Sequence, residues 1–227
     1  MCSGVALSAF ALGGGMAVEA LKKHEYKQFQ TAEFVPRAGS VIGFHSHNPA
    51  KAPDTWWMSN FADSKFNCDI GEVLDMDAGP TFEAGSSEQG IMVAKAMLMN
   101  DMASANLIIA AESPRECKSL GRKIQGFDQA LWNERVAQVA YRVLFQKFEQ
   151  NEHLGGLLMD TKEQTIAEAS PHDAIWGIKL KPSDPRVQEP AEWLGTNLLG
   201  NALMQVRAAL QYQLQEVAFV REWIWCS

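Results

Sequence analysis

The sequence predicts an α+β fold that is predominantly helical, with one domain and a small antiparallel sheet. The 227 residues are 47% hydrophobic and 21% charged, which is the composition of an ordinary globular protein. Apolar residues recur at helical spacing from residue 86 onward, whereas short strand-like runs and turn residues occupy residues 40–80. A chain of this length can bury one sizeable core, so residues 1–227 are interpreted as a single domain.

The predicted strands are short. Residues 40–44 and 73–76 have the aliphatic character of strands, and turn pairs such as Asn48-Pro49 and Gly79-Pro80 separate them. A further short strand is predicted over residues 165–169. These runs indicate only a minor sheet beside the helices.

The predicted helices begin at recognisable capping residues. Ser86 and Gln89 form the pattern of a capping box, which predicts a helix that continues through the apolar run 91–99. Residues 170–195 hold four of the nine prolines and are predicted to form an ordered loop. Further helices are predicted over residues 102–111, from Ser113-Pro114 to Leu120, from an N-cap at Asp128, over residues 152–159, and from Thr196 or Asn197 to the C-terminus.

Charge and cysteine usage exclude several classes of protein. The formal net charge of −7 gives no overall basic character for nucleic-acid binding, but it is compatible with a compact anionic ligand in a pocket. Cys2, Cys68, Cys117 and Cys226 form no CxxC pair, so we expect reduced thiols and no structural zinc. Residues 1–23 lack the basic start of a secretory signal and the roughly 20 apolar residues of a spanning helix. We therefore expect a cytoplasmic protein that does not associate with membranes.

Lys95 is the most informative candidate, because it interrupts the otherwise uncharged segment 91–99. Its side chain either extends to water or is a desolvated amine with a lowered pKa that can act as a nucleophile or form a Schiff base. Glu88 lies two helical turns earlier on the same face, roughly 10 Å away along the axis. The pair can bracket a small ligand, although Glu88 also suits the positive end of a helix.

Two further groups of residues follow the long helix. Asp173, Trp176 and Gly177 suit a loop that presents a carboxylate and a flat ring, or alternatively a loop Asp that caps backbone amides beside a core Trp. Asn197 at a helix start can leave amides free for an anion. Arg207 lies deep in an apolar helix, so we expect it to pair with an internal acid or with a ligand.

A fourth candidate group lies near the N-terminal strand. The run Trp56–Phe61 places aromatic residues around Asn60, and these rings either stack on a base or belong to the core. His45 and His47 flank Ser46, but no third ligand stands at a recognisable spacing, so no metal site is predicted.

In their order along the chain, these motifs resemble the NADAR family, also called YbiA-like. The resemblance covers about residues 40–210, leaving an N-terminal lead-in over 1–39 and a C-terminal helix extension over 211–227. The matching motifs are Ser59-Asn60-Phe61, Ser87-Glu88 with Lys95, Trp132, Asp173 with Trp176-Gly177, and Asn197–Gly200 followed by Leu203-Met204 and Val206-Arg207.

Known members of that family are N-glycosidases of riboflavin-pathway intermediates or of ADP-ribosylated guanine. The resemblance implies a YbiA-like domain that cleaves the C–N bond of a phosphorylated N-riboside or an ADP-ribosylated base, with modified nucleic acid as a further substrate class. It implies neither a cofactor nor a metal, and it leaves the oligomeric state open. By carry-over, Glu88, Lys95 and Asp173 are candidate catalytic residues. The candidate substrate-binding residues are Asn60, Phe61, Trp132, Trp176, Gly177, Asn197 and Arg207.

The chain departs from the family pattern after the helix-start acid, where Gly90, Ile91 and Met92 replace the usual aromatic residues and Gln. These differences are expected to change the pocket wall and hence the substrate. They also motivate a second hypothesis, a non-catalytic module that binds ADP-ribose or a related nucleotide. A third hypothesis is a helical interaction protein whose Trp and Met residues all belong to the core.

Overall fold

The computed structural model describes residues 36–225, with side chains described as far as residue 215. Most of the predicted lead-in, as well as Cys2 and Cys226, lies outside this part of the chain. The described residues contain four short strands and seven helices, and no helix among them is both long and apolar enough to cross a bilayer. The strands are β1 (Val41–Phe44), β2 (Phe66–Asp69), β3 (Thr81–Ala84) and β4 (Thr165–Glu168); the helices are α1 (Ile70–Leu74), α2 (Ser87–Leu98), α3 (Met102–Ile109), α4 (Pro114–Gly121), α5 (Gln129–Gln150), α6 (Glu152–Asp160) and α7 (Leu198–Trp225).

The predicted helical α+β fold with a small antiparallel sheet is confirmed. Strands β2 and β3 pair antiparallel, with Phe66 opposite Ala84. Strands β1 and β4 form a second pair that is parallel, with Val41 opposite Thr165. The positions of β1 and β4 were predicted, but their parallel pairing was not, and neither β2 nor β3 was identified.

The predicted strand over residues 73–76 is wrong, because a helix occupies residues 73 and 74 and ends at Asp75. Asp69 caps α1 by accepting a hydrogen bond from the backbone of Glu72 at 3.1 Å. Val73 and Leu74 are both buried, which a half-exposed strand with side chains on alternating faces does not allow. Asp75 then adopts a left-handed conformation with φ of 57° and ends the helix.

The predicted capping residues start their helices, although the capping box at α2 is incomplete. The Ser86 hydroxyl accepts from the backbone amide of Gln89 at 3.3 Å, as predicted. The Gln89 side chain accepts from the backbone amide of Gly85 and donates to the carbonyl of Ile108 at 3.0 Å. Gln89 therefore ties the start of α2 to the end of α3. Asp128 caps α5 as predicted.

The start of α7 is bound tightly to β4. Asn197 has a φ of 54°, donates from its side-chain amide to the carbonyl of Ile166 at 2.8 Å, and accepts from the backbone amide of Glu168 at 3.1 Å. Gly200 lies against the same Ile166 carbonyl, where any Cβ would collide with it. The amide of Asn197 and the small Gly200 thereby fix the position of the strand end at Glu168.

Helix α5 lies between two apolar clusters of the core. One cluster joins α5 to α7 and β4, and the other joins α5 to α2 and to the β2–β3 sheet. Trp176, in the loop before α7, packs against both clusters. This loop, predicted to be ordered, therefore holds a fixed position between the two halves of the core.

Lys147 is fully buried in α5, and its Nζ donates to the carbonyl of Trp57 at 2.9 Å. Burial lowers the pKa of this amine to about 7, because the charged form is poorly solvated in the core. The bond holds the short 3₁₀ turn Trp56–Met58, which leads directly into Ser59 and Asn60.

The free energy of unfolding should depend on pH through Lys147. In the unfolded chain the lysine remains protonated up to its ordinary pKa of 10.5, whereas in the folded chain it loses its proton near pH 7. Stability should therefore rise by about 1.4 kcal/mol per pH unit between roughly pH 7 and 10. Urea unfolding of the wild type and of Lys147→Met across this range measures the difference; equal slopes for both proteins would contradict a neutral buried lysine.

Candidate active site

A cavity of about 590 Å³ lies between the start of α2, helix α4 and the loop after β4. It brings together side chains that are widely separated in the sequence. Seven of the predicted site residues line it, namely Asn60, Phe61, Glu88, Lys95, Trp132, Asp173 and Trp176.

Glu88 lies in the first turn of α2, where its backbone amide donates to the carbonyl of Asn60 at 2.9 Å. Only 6% of the residue is exposed. Burial raises the pKa of this carboxyl to about 7, with Lys118 opposing the shift and Asp173 adding to it. At neutral pH the group is thus poised between its acid and carboxylate forms.

Lys95 is half-buried, and its Nζ donates to the carbonyl of Gly121 at 2.9 Å. The ammonium group lies 4.3 Å from the ring centroid of Phe127 and 5.7 Å from that of Trp132. Burial lowers the pKa of Lys95, and the negative charge of Glu88 partly offsets this effect. Of the two interpretations of Lys95, the geometry favours a partly desolvated amine at the cavity over one that extends freely into water.

Asp173 both caps backbone amides of its loop and lines the cavity. Its Oδ1 accepts from the backbone amides of Ile175 at 3.0 Å and Trp176 at 2.8 Å, so the carboxylate shapes the loop. It also lines the cavity, and its negative charge raises the pKa of Glu88. The carboxylate therefore orders the loop and sets part of the electrostatic field in the cavity.

Three predicted substrate-binding residues lie outside the cavity lining. Gly177 packs against the carbonyl of Glu168, to which a Cβ would come within 2.6 Å. Asn197 bonds to β4, as described above. Arg207 is buried and donates to the Thr161 hydroxyl at 2.6 Å and to the carbonyl of Gln164 at 2.9 Å. All three stabilise the elements that carry cavity residues.

Three charged residues of the cavity were missed by the sequence reasoning. Lys118 and Arg122 are one helical turn apart around the end of α4, and the Lys118 Nζ lies 5.2 Å from the ring centroid of Phe61. Glu168 lines the cavity at the end of β4. Its only signal in the sequence is a single acid within the short strand predicted over residues 165–169.

The three residues after Glu88 that differ from the family pattern change the cavity wall less than expected. Gly90 packs on the core side of α2, where a Cβ would come within 2.9 Å of Val143, and Ile91 is fully buried in the core. Met92 alone of these three lines the cavity. Among the side chains of residues 36–215 no group of His, Cys, Asp and Glu is arranged to hold a metal ion.

Comparisons with known proteins bear on the family and the fold of this chain. A model of the NADAR domain matches residues 43–211. Protein irg-1 of Caenorhabditis elegans is 40% identical over 61% of this chain and 66% of its own length. An N-glycosidase of Acanthamoeba polyphaga mimivirus is 36% identical over 54% of this chain and 72% of its own. The NMR structure of the E. coli protein YbiA superposes with a TM-score of 0.59 at 26% identity, covering 82% of this chain and 94% of YbiA.

The Glu88→Gln variant should remove a pH-dependent loss of stability. Because the folded pKa is about 7 and the ordinary value is 4.5, folding favours the protonated acid, and stability is lost as the pH rises through this window. The free energy of unfolding of the wild type should therefore fall by about 3 kcal/mol relative to that of the variant between roughly pH 4.5 and 8. Thermal or urea unfolding measures this difference, with the exposed Glu163→Gln as the matched control. Parallel curves for wild type and Glu88→Gln would show that Glu88 titrates normally.

Proposed function

Because this chain belongs to the NADAR domain family, we propose that it is an N-glycosidase that hydrolyses the C–N bond of a phosphorylated N-riboside. The observation that carries the proposal is the convergence of Glu88, Lys95 and Asp173 on one cavity. The name of the viral relative supports the reaction class. Ribosylaminopyrimidine phosphates and ADP-ribosylated guanine share the required chemistry, namely a ribose with an amine-linked base and a nearby phosphate.

The charges of the cavity suit this reaction. Breaking an N-glycosidic bond leaves positive charge at C1′ of the ribose, which nearby carboxylates stabilise. In the proposed mechanism Glu88 transfers protons, because its raised pKa lets it act as an acid or a base near neutral pH. Asp173, anchored through the loop amides, orients the ribose or the lysine.

Lys95 is the proposed nucleophile. Its lowered pKa provides a larger neutral fraction of the amine, which can add to C1′ once the sugar ring opens. The resulting imine is then hydrolysed by water, which regenerates the lysine. The alternative is direct attack of water on C1′, with Lys95 stabilising the substrate by charge alone.

The remaining cavity residues suit the two ends of such a substrate. The rings of Trp132 and Trp176 line the cavity and offer flat surfaces on which a base can stack. Lys118 and Arg122 supply the positive charge that a phosphate requires. The motivation for a binding module without catalysis is weakened, because Gly90 and Ile91 pack into the core rather than altering the cavity.

Lys95→Ala should abolish turnover if the lysine forms the imine. The wild type is incubated with a ribosylaminopyrimidine phosphate and, separately, with an ADP-ribosylated guanine oligonucleotide, and the released base is followed by chromatography. We expect a loss of at least ~10²-fold in kcat for Lys95→Ala. Borohydride should trap a sugar adduct on wild-type Lys95, identified by peptide mass spectrometry.

The matched control for this experiment is Lys123→Ala, which removes an exposed lysine near the end of α4. It should retain wild-type turnover. Wild-type rates in Lys95→Ala would remove the lysine from the mechanism while leaving the glycosidase assignment intact. Ligand binding by the wild type without any release of base would instead support a non-catalytic binding module.

Removal of positive charge at Lys118 should weaken substrate binding more than it slows chemistry. For Lys118→Met we expect KM to rise about 10-fold or more, since a hydrogen bond to a charged group contributes ~1.5–3 kcal/mol. The same comparison with a dephosphorylated substrate should show a much smaller effect. An equal KM increase for both substrates would place the phosphate elsewhere.

A further inference from the structure

The backbone of Glu168 is held from several directions, which fixes where its side chain starts. It is the last residue of β4 and pairs with Phe44 of β1. Its amide donates to Asn197 Oδ1 at 3.1 Å, and its carbonyl accepts from the amide of Ile178 at 2.9 Å. Gly177 packs directly against that carbonyl. The backbone of Glu168 is therefore held rigidly, and this fixes the point from which its side chain extends to the cavity.

The carboxyl group of Glu168 has no structural partner among the described residues. Its Oε2 is buried and makes no hydrogen bond, and the residue lines the cavity. Burial raises the pKa of this carboxyl to about 7, Asp173 adds to the shift and Lys118 opposes it. A buried carboxyl oxygen without a hydrogen bond is costly to maintain, so a purely structural role does not explain it.

Glu168 and Glu88 enter the cavity from two different elements, while Asp173 and Lys118 act on both carboxyl groups and the charge of Glu88 acts on Glu168. The charge of Glu88 acts on Lys95, on the same face of α2. Glu168 enters from β4, where Asp173 and Lys118 act on it most strongly after burial. Cleavage through an imine needs protons at two separate places, the ring oxygen that opens and the nitrogen that leaves. Two separate elements, α2 and β4, each bring one carboxyl of raised pKa to the cavity, which provides one group for each task.

We propose that Glu168 is the second proton-transfer residue of this cavity, protonating the leaving nitrogen while Glu88 transfers protons at the ring oxygen and Lys95. This assignment rests on the proposed glycosidase function and divides its chemistry between two acids.

In the proposed reaction both carboxyl groups return to their protonated starting forms. Glu88 donates a proton to the ring oxygen, the ring opens, and neutral Lys95 adds to C1′ and returns one proton to Glu88. The C1′–N bond of the base then breaks with its electron pair moving to nitrogen, which takes the proton of Glu168. Water adds to the Lys95 imine and gives a proton to the Glu168 carboxylate. Glu88 then transfers the proton of the new C1′ hydroxyl group to Nζ of Lys95. The C1′–Nζ bond breaks, which releases the sugar aldehyde and the neutral amine of Lys95.

The test varies how strongly the leaving nitrogen needs a proton. The full chain is assayed on N-aryl ribosylamine 5-phosphates whose leaving amine ranges from p-toluidine, which needs protonation, to p-nitroaniline, which needs far less. Glu168→Gln should lose ~10²–10⁴-fold in kcat with p-toluidine but less than about 10-fold with p-nitroaniline. KM should change little. Borohydride should trap the Lys95 imine in this variant with p-nitroaniline substrate.

Two further variants separate this role from a structural one. Glu163→Gln, which removes an exposed acid paired with Arg37, should match the wild type throughout. Glu168→Asp keeps a shortened acid and should lose rate while retaining the weak leaving-group dependence of the wild type. A uniform loss across all leaving groups in Glu168→Gln, or none, would overturn the role of Glu168 alone. No hydrolysis of any N-riboside by the wild type would overturn the proposed function and this assignment together.

Discussion

The chemistry available to this cavity depends on the limited solvation of its charged groups. Burial raises the pKa of both Glu88 and Glu168 to about 7 and lowers that of Lys95. In bulk water the two acids would be ionised and the amine protonated at neutral pH, so neither proton donation nor nucleophilic attack would be favoured. Within the cavity the acid and base forms of the two carboxyl groups have similar free energies near neutral pH, and the neutral form of Lys95 is easier to reach than in water.

Local signals predicted much of the fold. Ser86 and Asp128 were identified as caps from the residues beside them, and both start helices in the structure. The strand prediction for residues 73–76 was wrong because their aliphatic character suits either a strand or a buried helix. The Asp69 cap and the burial of adjacent side chains decide between these two, and burial depends on the whole fold. The parallel pairing of β1 with β4 likewise has no local signal.

The candidate site could be predicted where a polar residue interrupts an apolar helix, as Lys95 does. Glu168 was missed because one acid near the end of a short strand is ordinary in a sequence, and its lack of a partner is visible only in three dimensions. Asn197 and Arg207 were noticed correctly as unusual residues. Their side chains bond to the protein itself, and the sequence pattern cannot distinguish an internal partner from a ligand.

The pairing of β1 with β4 has a consequence for biosynthesis. The backbone amide of Arg37 donates to the Thr165 side chain 128 positions away, and that of Val41 donates to Gln188 across 147 positions. Contacts of such long range form slowly, because a large loop must close first. A ribosome releases the first strand well before its partner. The nascent chain can place Glu88 and Lys95 together once α2 forms, but Glu168 joins them only after most of the polypeptide has emerged.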